Sequence, residues 1–131
     1  MAGAAYVVLD KDVSSFLFKQ DNRAEPYRPH LTGKTLCLSF QTVAELRHWG
    51  QARRDKLAEW LLSFVILPYD NQIALAWARI RAERRRQGRP ISAEDAWIAA
   101  CALRHTCPLI THNAGDYTHI AHLIVLTEAG V

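Results

Sequence analysis

The segment PISAEDAWIAACALRHTCPLITHNAGDY, residues 90–117, contains the alternation of elements that decides the fold. Residues 92–105 have the apolar spacing of a helix, and Ser92 stands at the expected N-cap with Asp95 three residues later, which approximates a capping box. The short apolar run 108–111 that follows predicts a strand. A helix that leads directly into a buried strand is typical of α/β proteins, in which helices connect the strands of a parallel sheet.

The remainder of the chain repeats this alternation. Apolar runs predict strands at 5–10, 35–40, 64–69, 108–111 and 122–126, and helical patterns lie between them at 13–20, 41–63, 70–87 and 92–105. Gly50 is expected to break the second helical pattern, and the connection 21–34 to be irregular with one helical turn. We expect one domain over residues 1–131, an α/β sandwich with a central, mainly parallel sheet of four or five strands.

Composition supports a compact chain that stays in the cytosol. Half of the 131 residues are apolar, which suffices for one core. No window approaches the roughly 18 apolar residues of a membrane span, and the N-terminus lacks the features of a signal peptide. Cys37, Cys101 and Cys107 lie in apolar surroundings, which argues against a disulfide framework and suits a reducing compartment.

Positive charge is concentrated in one segment. The whole chain carries a net charge of +3, whereas residues 79–89 contain six arginines and one glutamate. Such a segment attracts phosphate, and the candidate contacts are Arg79, Arg84, Arg85, Arg86 and Arg89. It is equally consistent with a solvated helix face, with Ile73, Trp77 and Ile80 directed at the core and the arginines directed outward.

Acidic residues follow several of the predicted strands. Asp10 and Asp12 end the first strand, Glu45 lies one helical turn beyond the second, Asp95 opens a helix and Asp116 follows the fourth strand. Because right-handed crossovers bring the carboxyl ends of parallel strands to one edge, these side chains are expected to converge.

Converging carboxylates repel one another unless a cation is present, and oxygen ligands suit Mg²⁺ or Mn²⁺. The pattern therefore favours a metal site for phosphoryl transfer. Taken singly, each acid has an ordinary explanation: Asp12 as a helix cap, Asp116 as a turn residue, Glu45 as an exposed helix position.

Four segments resemble the PIN-domain ribonucleases, particularly the toxins of VapBC toxin–antitoxin modules. They are VVLDKDVSSFL (7–17), SFQTVAEL (39–46), the segment 90–117 and the terminal LIVL (123–126), in the family's order and spacing. The resemblance implies a three-layer α/β/α sandwich and Mg²⁺- or Mn²⁺-dependent endonucleolytic cleavage of RNA. It implies a catalytic set of Asp10, Glu45, Asp95 and Asp116, with Asp10, Asp95 and Asp116 as metal ligands and with Asp12 and Asn113 in support.

Lys11 departs from the family pattern, which usually has a small residue at this position, often Thr. If the backbone stays extended, residues 10 and 12 share one face and Lys11 points to the other. If it does not, the ammonium could pair with Asp10, compete with the metal or touch a phosphate.

The resemblance also implies partners: a structured RNA such as tRNA or rRNA, a cognate antitoxin and a second copy in a homodimer. The arginines of 79–89 would then contact RNA.

Three alternatives stay open. Because Lys11 is unusual at its position, the chain could be a PIN-like domain without catalytic activity that only binds a protein partner. The motif LDKDVSS (9–15) also matches an Asp-nucleophile phosphatase, although no suitable later acid pair is present. A zinc site, without the close paired spacing of structural zinc motifs, would draw on His105, Cys107, His112, His119 and His122.

Overall fold

A computed structural model describes residues 6–129 of the chain. Its strands are β1 (Tyr6–Leu9), β2 (Thr35–Ser39), β3 (Val65–Leu67), β4 (Leu109–Ile110) and β5 (Val125–Leu126). Its α-helices are α1 (Lys11–Phe18), α2 (Arg28–Leu31), α3 (Phe40–Trp49), α4 (Arg54–Leu61), α5 (Asn71–Arg86) and α6 (Ala93–Arg104). Short 3-10 helices cover Asn22–Tyr27, Gln51–Arg53 and Ala114–Tyr117. Over residues 6–129 no helix has both the length and the apolar character needed to cross a membrane.

The five strands form one parallel sheet with the order β3-β2-β1-β4-β5. In the centre of this sheet, Val8 pairs with Cys37 of β2 and with Leu109 of β4. The apolar run of β1 is continuous because both of its faces are covered. The expected parallel sheet is confirmed; the run predicted to begin at residue 5 starts outside the described residues.

Successive side chains of β1 enter two different cores. Val8 packs with residues of α5 and α6, among them Ile73 and Ile98. Val7 and Leu9 pack on the opposite face, which is covered mainly by α1, α3 and α4. This alternation follows from the two-residue repeat of a strand. The predicted three-layer α/β/α sandwich is therefore confirmed.

Gly50 interrupts the helical pattern of 41–63, as its sequence position predicted. The Gly50 N–H donates to the Leu46 carbonyl at 2.8 Å, and α4 begins four residues later. A β-carbon at position 50 would lie 2.9 Å from the same carbonyl oxygen, closer than such atoms approach in proteins. Glycine thus allows the chain to turn tightly between α3 and α4.

The first helix begins earlier than predicted, and this corrects the expected geometry of residues 10–12. Asp10 has extended φ and ψ angles and caps α1, since its side chain accepts a hydrogen bond from the Lys11 N–H. Lys11 is thus the first helical residue, so residues 10 and 12 do not share one face of an extended strand. Asp12 lies in the first turn and is not the N-cap.

Candidate active site

The acidic residues lie at the edge formed by the carboxyl ends of β1 and β4. These two strands are neighbours in the sheet, with β2 and β3 on one side of the pair and β5 on the other. The point at which the strand order reverses is where open α/β sheets form a ligand crevice. Asp10 directly follows β1, and Thr111 directly follows β4.

Asp10 is almost completely buried and accepts hydrogen bonds from Lys11, Thr111 and Ser14. Its Oδ1 accepts from the Lys11 N–H at 2.7 Å, its Oδ2 accepts from the Thr111 hydroxyl at 2.6 Å, and its carbonyl accepts from the Ser14 hydroxyl at 2.8 Å. Burial, followed by the charge of Asp12, raises the pKa of Asp10 to about 6, although Lys11 and Thr111 act in the opposite direction. Asp10 is therefore a fixed carboxyl group whose ionised form is poorly solvated.

Lys11 places its ammonium group between two of the predicted metal ligands. Its Nζ lies 2.7 Å from Asp95 Oδ1 and 3.8 Å from Asp10 Oδ1, and a quarter of the side chain is exposed. Burial lowers the pKa of Lys11, but the charges of Asp10, Asp95 and Glu45 outweigh burial and raise it. The side chain is accordingly a cation at the centre of the acidic cluster.

Asp95 reaches this cation from the first turn of α6. Ser92 caps the helix, since its hydroxyl oxygen accepts from the Asp95 N–H at 3.0 Å as the sequence predicted. Asp95 Oδ1 also accepts a hydrogen bond from the Tyr117 hydroxyl at 3.3 Å. Burial, together with the charges of Asp10 and Asp95, raises the pKa of Tyr117 well above its usual range, so the phenol remains a donor.

The side chains of Asp12 and Asn113 are joined to each other, whereas the contact between Asn113 and the last acid is made by the backbone, since the Asp116 N–H donates to the Asn113 carbonyl at 3.0 Å. Asp12 Oδ2 accepts from the Asn113 side-chain amide at 2.9 Å and from the His112 N–H at 3.1 Å. The Asp12 carboxylate thus ties the start of α1 to the segment after β4. Burial raises the pKa of Asp12, although hydrogen bonds from the backbone N–H groups of Val13 and His112 oppose this.

Among the described residues, the side chains of the other two predicted acids form no hydrogen bond or ion pair with Asp10, Lys11 or Asp95. Glu45 is half-buried and accepts from the Gln41 side chain at 3.2 Å, and its charge acts on Lys11 from a distance. Asp116 is exposed in the turn Ala114–Tyr117, and within residues 6–129 its carboxylate forms no hydrogen bond or ion pair. Of the four acids in the predicted catalytic set, only Asp10 and Asp95 are bridged by the Lys11 ammonium.

Thr111 and Tyr117 hold Asp10 and Asp95, and neither residue was predicted from the sequence. Thr111 is fully buried, and its position directly after an apolar strand is the signal that could have identified it. Tyr117 follows Asp116 immediately, but a single aromatic residue after a turn carries no local signal of a contact with Asp95.

One of the arginines predicted to contact phosphate is not on the surface. Arg84 is only 6% exposed, and its guanidinium donates to the carbonyls of Arg89, Asp116 and Thr118. Contrary to the prediction from the sequence, Arg84 is therefore not an exposed contact for RNA phosphate. The remaining four, Arg79, Arg85, Arg86 and Arg89, are exposed.

The donor chemistry of the bridged pair fits a hard divalent ion. Over residues 6–129, no three His, Cys, Asp or Glu side chains are close enough together to hold a metal ion as they stand, and this includes the residues of the zinc alternative. Mg²⁺, however, is commonly held by one or two carboxylates and several waters. Asp10 and Asp95 already share one cation, the Lys11 ammonium, so their oxygens are placed to share another.

Comparison with known proteins identifies relatives along most of the chain. The family model of the PIN domain matches residues 7–123. Ribonuclease VapC1 of Haemophilus influenzae strain R2866 is 33% identical over 126 residues, covering 88% of this chain and 92% of that protein. The tRNA(fMet)-specific endonuclease VapC of Shigella flexneri is 28% identical over 122 residues, covering 88% and 92%. VapBC-5 of Mycobacterium tuberculosis, a solved member of the VapBC family of toxin-antitoxin systems, has a TM-score of 0.73 at 28% identity, covering 94% of this chain and 98% of that chain.

The fold and the site together define an α/β protein with two acids, bridged by a lysine, at the switch point of its sheet. The sequence match makes this class specific: the chain belongs to the PIN domain family. The resemblance seen in the sequence is confirmed, and the prediction of a PIN-domain ribonuclease agrees with the names of both relatives. This assignment replaces the alternative of an Asp-nucleophile phosphatase.

Proposed function

We propose that this chain is the toxin of a type II toxin–antitoxin module and acts as an endoribonuclease that hydrolyses RNA phosphodiester bonds with Mg²⁺ or Mn²⁺. The observation that carries the proposal is the sharing of one cation by Asp10 and Asp95, two carboxylates from distant parts of the chain that meet at the carboxyl edge of the sheet. A buried acid pair that needs a cation is the arrangement that metal-assisted phosphodiester hydrolysis uses.

In this mechanism Asp10 and Asp95 would hold the divalent ion, which supplies an activated water and neutralises charge that develops on the phosphate. Thr111 orients the Asp10 carboxylate, and Tyr117 and the Ser92 cap orient Asp95. Asp116 is proposed as a further ligand and Glu45 as a residue that completes the site or polarises the water.

The substrate and partners are proposed from the chemistry of the family's named members. A relative specific for tRNA(fMet) supports a structured RNA, tRNA or rRNA, whose cleavage inhibits translation in the cytoplasm. The fold shared with a VapBC complex supports a cognate antitoxin partner, and we propose that the toxin is a homodimer. Four exposed arginines, Arg79, Arg85, Arg86 and Arg89, would contact RNA phosphates.

Substitution of Asp95 by Asn should abolish most of the RNA cleavage. The purified chain, freed of any partner, is incubated with total bacterial RNA and Mn²⁺ or Mg²⁺, and the new RNA ends are mapped by sequencing. We expect discrete cuts that EDTA abolishes and that the Asp95→Asn protein makes at least about 100-fold more slowly, because an amide cannot replace the charge of a ligand carboxylate. Glu94→Gln, a change at the exposed neighbouring acid, is the matched control and should cut normally.

Full activity of folded Asp95→Asn would refute the assignment of the site. Absence of cuts by the folded wild-type chain would favour the catalytically quiet protein-binding domain. The ion pair between Lys11 and Asp95 is the observation that supports this second candidate, because an acid pair closed by a lysine needs no metal.

A further inference from the structure

Lys11 occupies the space between the two carboxylates that a divalent ion would share. Its Nζ forms a hydrogen bond of 2.7 Å with Asp95 Oδ1, an oxygen that also accepts from Tyr117. The same nitrogen is 3.8 Å from Asp10 Oδ1. An ammonium at this point occupies oxygen lone pairs that a metal ion would need.

The surroundings explain why the lysine lies there. Asp10 is 1% exposed and the Asp95 side chain 13% exposed, so two poorly solvated carboxylates face each other. A cation between them removes most of their repulsion. Lys11 supplies that cation from the first residue of α1, with no ion taken up from solution.

The Lys11 side chain is long and exposed enough to rotate away from the two carboxylates. A quarter of it is exposed, and its charge sits at the end of a flexible four-carbon stem. Because its backbone is fixed by the Asp10 cap, rotation of the side chain alone would carry the ammonium into water. Such a rotation would turn the observed arrangement, closed by the lysine, into one open to another cation.

We propose that Lys11 is a tethered competitor of the divalent ion, so that a metal binds to the Asp10–Asp95 pair only when the lysine side chain has swung out. The inference rests on the proposed function for the identity of the ion and deepens it by naming a residue that sets how much metal the site needs. An apparent dissociation constant rises in inverse proportion to the fraction of molecules in the open arrangement. If the lysine is withdrawn in about one molecule in ten, metal binding is about tenfold weaker than in an open site.

The test measures Mn²⁺ binding to the RNA-free protein by titration calorimetry, with no cleavage assay involved. Lys11→Thr, which restores the residue common at this position in the family, should bind Mn²⁺ at least about tenfold more tightly than wild type. Lys11→Met keeps the length of the stem without its charge and should behave in the same way. Lys11→Arg retains a cation and should stay weak. Lys19→Thr removes an exposed lysine just past the end of α1 and should leave the affinity unchanged.

Thermal unfolding provides a second readout on the same proteins. Saturating Mn²⁺ should raise the unfolding midpoint of Lys11→Thr more than that of wild type, since tighter binding to the folded state stabilises it further. If Lys11→Thr does not fold, Lys11→Met replaces it in both measurements.

Equal Mn²⁺ affinity of wild type and the two neutral variants would overturn the proposal, as would weaker binding or no binding by those variants. Wild-type Mn²⁺ affinity combined with reduced RNA affinity in Lys11→Thr would also overturn it and make Lys11 a phosphate contact. These outcomes are separate from the nuclease assignment. Tighter Mn²⁺ binding by Lys11→Thr in a protein that cuts no RNA would support the competition and refute the ribonuclease.

Discussion

At the scale of single residues, the site is governed by the cost of ionising Asp10 inside the protein. The carboxyl group is 1% exposed, and burial together with Asp12 raises its pKa to about 6. Between about pH 4 and pH 6, Asp10 is therefore protonated more often in the folded chain than in the unfolded chain. In this window the contribution of Asp10 to stability falls as the pH rises, and above it the ionised group destabilises the fold.

The Asp10→Asn variant tests whether the ionised Asp10 carboxylate destabilises the fold. In EDTA at pH 7.5 the variant should be more stable than wild type by about 1–3 kcal/mol, because the amide keeps the shape of the side chain without the buried charge. The difference should shrink as the pH falls and vanish near pH 4. Urea unfolding at several pH values measures it.

Asp70→Asn is the matched control, and its effect on stability should have the opposite sign to that of Asp10→Asn. Asp70 caps α5 through the Ile73 N–H and pairs with Arg104, and these contacts lower its pKa. Its charge therefore stabilises the fold at neutral pH, and this contribution is lost in acid. Asp70→Asn should be less stable than wild type at pH 7.5. A parallel response of the two variants to pH would contradict the assigned cause of the Asp10 shift.

The positions of Asp10 and Asp95 could be predicted because each depends on local rules. One follows an apolar strand, and the other stands three residues after a helix cap. The position of the Lys11 ammonium could not, because it depends on the Asp10 cap, which starts α1 two residues earlier than the apolar pattern indicates. Tyr117 and Thr111 enter the site only through long-range contacts, which no local pattern specifies.

At the scale of elements, Arg84 joins the C-terminal turn of α5 to the turn that carries Asp116. Its guanidinium donates to the Arg89 carbonyl at 2.6 Å and to the carbonyls of Asp116 and Thr118 at 3.1 and 3.0 Å. The arginine repeat in the sequence suggests one solvated surface, but the helical period turns this one member inward. The periodicity of the sequence does not show that three backbone carbonyls accept hydrogen bonds from the Arg84 guanidinium.

Arg84→Met should destabilise the protein by about 2–4 kcal/mol, because removal of the buried donor leaves three carbonyls short of a partner. Arg85→Met, at the exposed neighbouring position, should change the stability by less than about 0.5 kcal/mol. Both values come from urea unfolding. Equal stabilities of the two variants would show that Arg84 does not hold the turn.

At the scale of the whole molecule, three exposed arginines lie on α5 and a fourth just beyond it: Arg79, Arg85, Arg86 and Arg89. We expect Ala substitution of Arg79, Arg85, Arg86 and Arg89 to weaken RNA binding and to flatten its salt dependence. The slope of log K against log salt should fall by about 0.7–0.9 for each arginine that contacts a phosphate, the range between single strands and a duplex. The measurement uses an Asp95→Asn background so that RNA is not cut.

A control of matched charge uses four exposed basic residues whose helices lie on the other side of the sheet, Arg47, Arg53, Arg54 and Lys56. Their Ala variant should keep the wild-type slope. The same loss of slope in both quadruple variants would mean that RNA is attracted by net charge and not by a defined surface.

The overall architecture was the most predictable level, because buried parallel strands and their connecting helices leave strong apolar patterns. The boundaries of the strands were less predictable than the architecture. β4 and β5 contain two residues each, although longer apolar runs predicted these strands. Leu123, just before β5, packs against the core, whereas Ile124 is mostly exposed although its carbonyl accepts a hydrogen bond from the Leu109 N–H. The apolar pattern and the pattern of strand pairing therefore differ.

The sequence separation within the site has a consequence for synthesis on the ribosome. The hydrogen bond from Thr111 to Asp10 spans 101 positions, and the ion pair from Lys11 to Asp95 spans 84. At roughly 5–20 residues per second, the ribosome makes Thr111 about 5–20 s after Asp10. During that time the nascent chain exposes its first acids without the residues that complete their surroundings. Assembly of the acidic cluster, and any harm it does to the cell that is making it, must wait until Thr111 has left the exit tunnel.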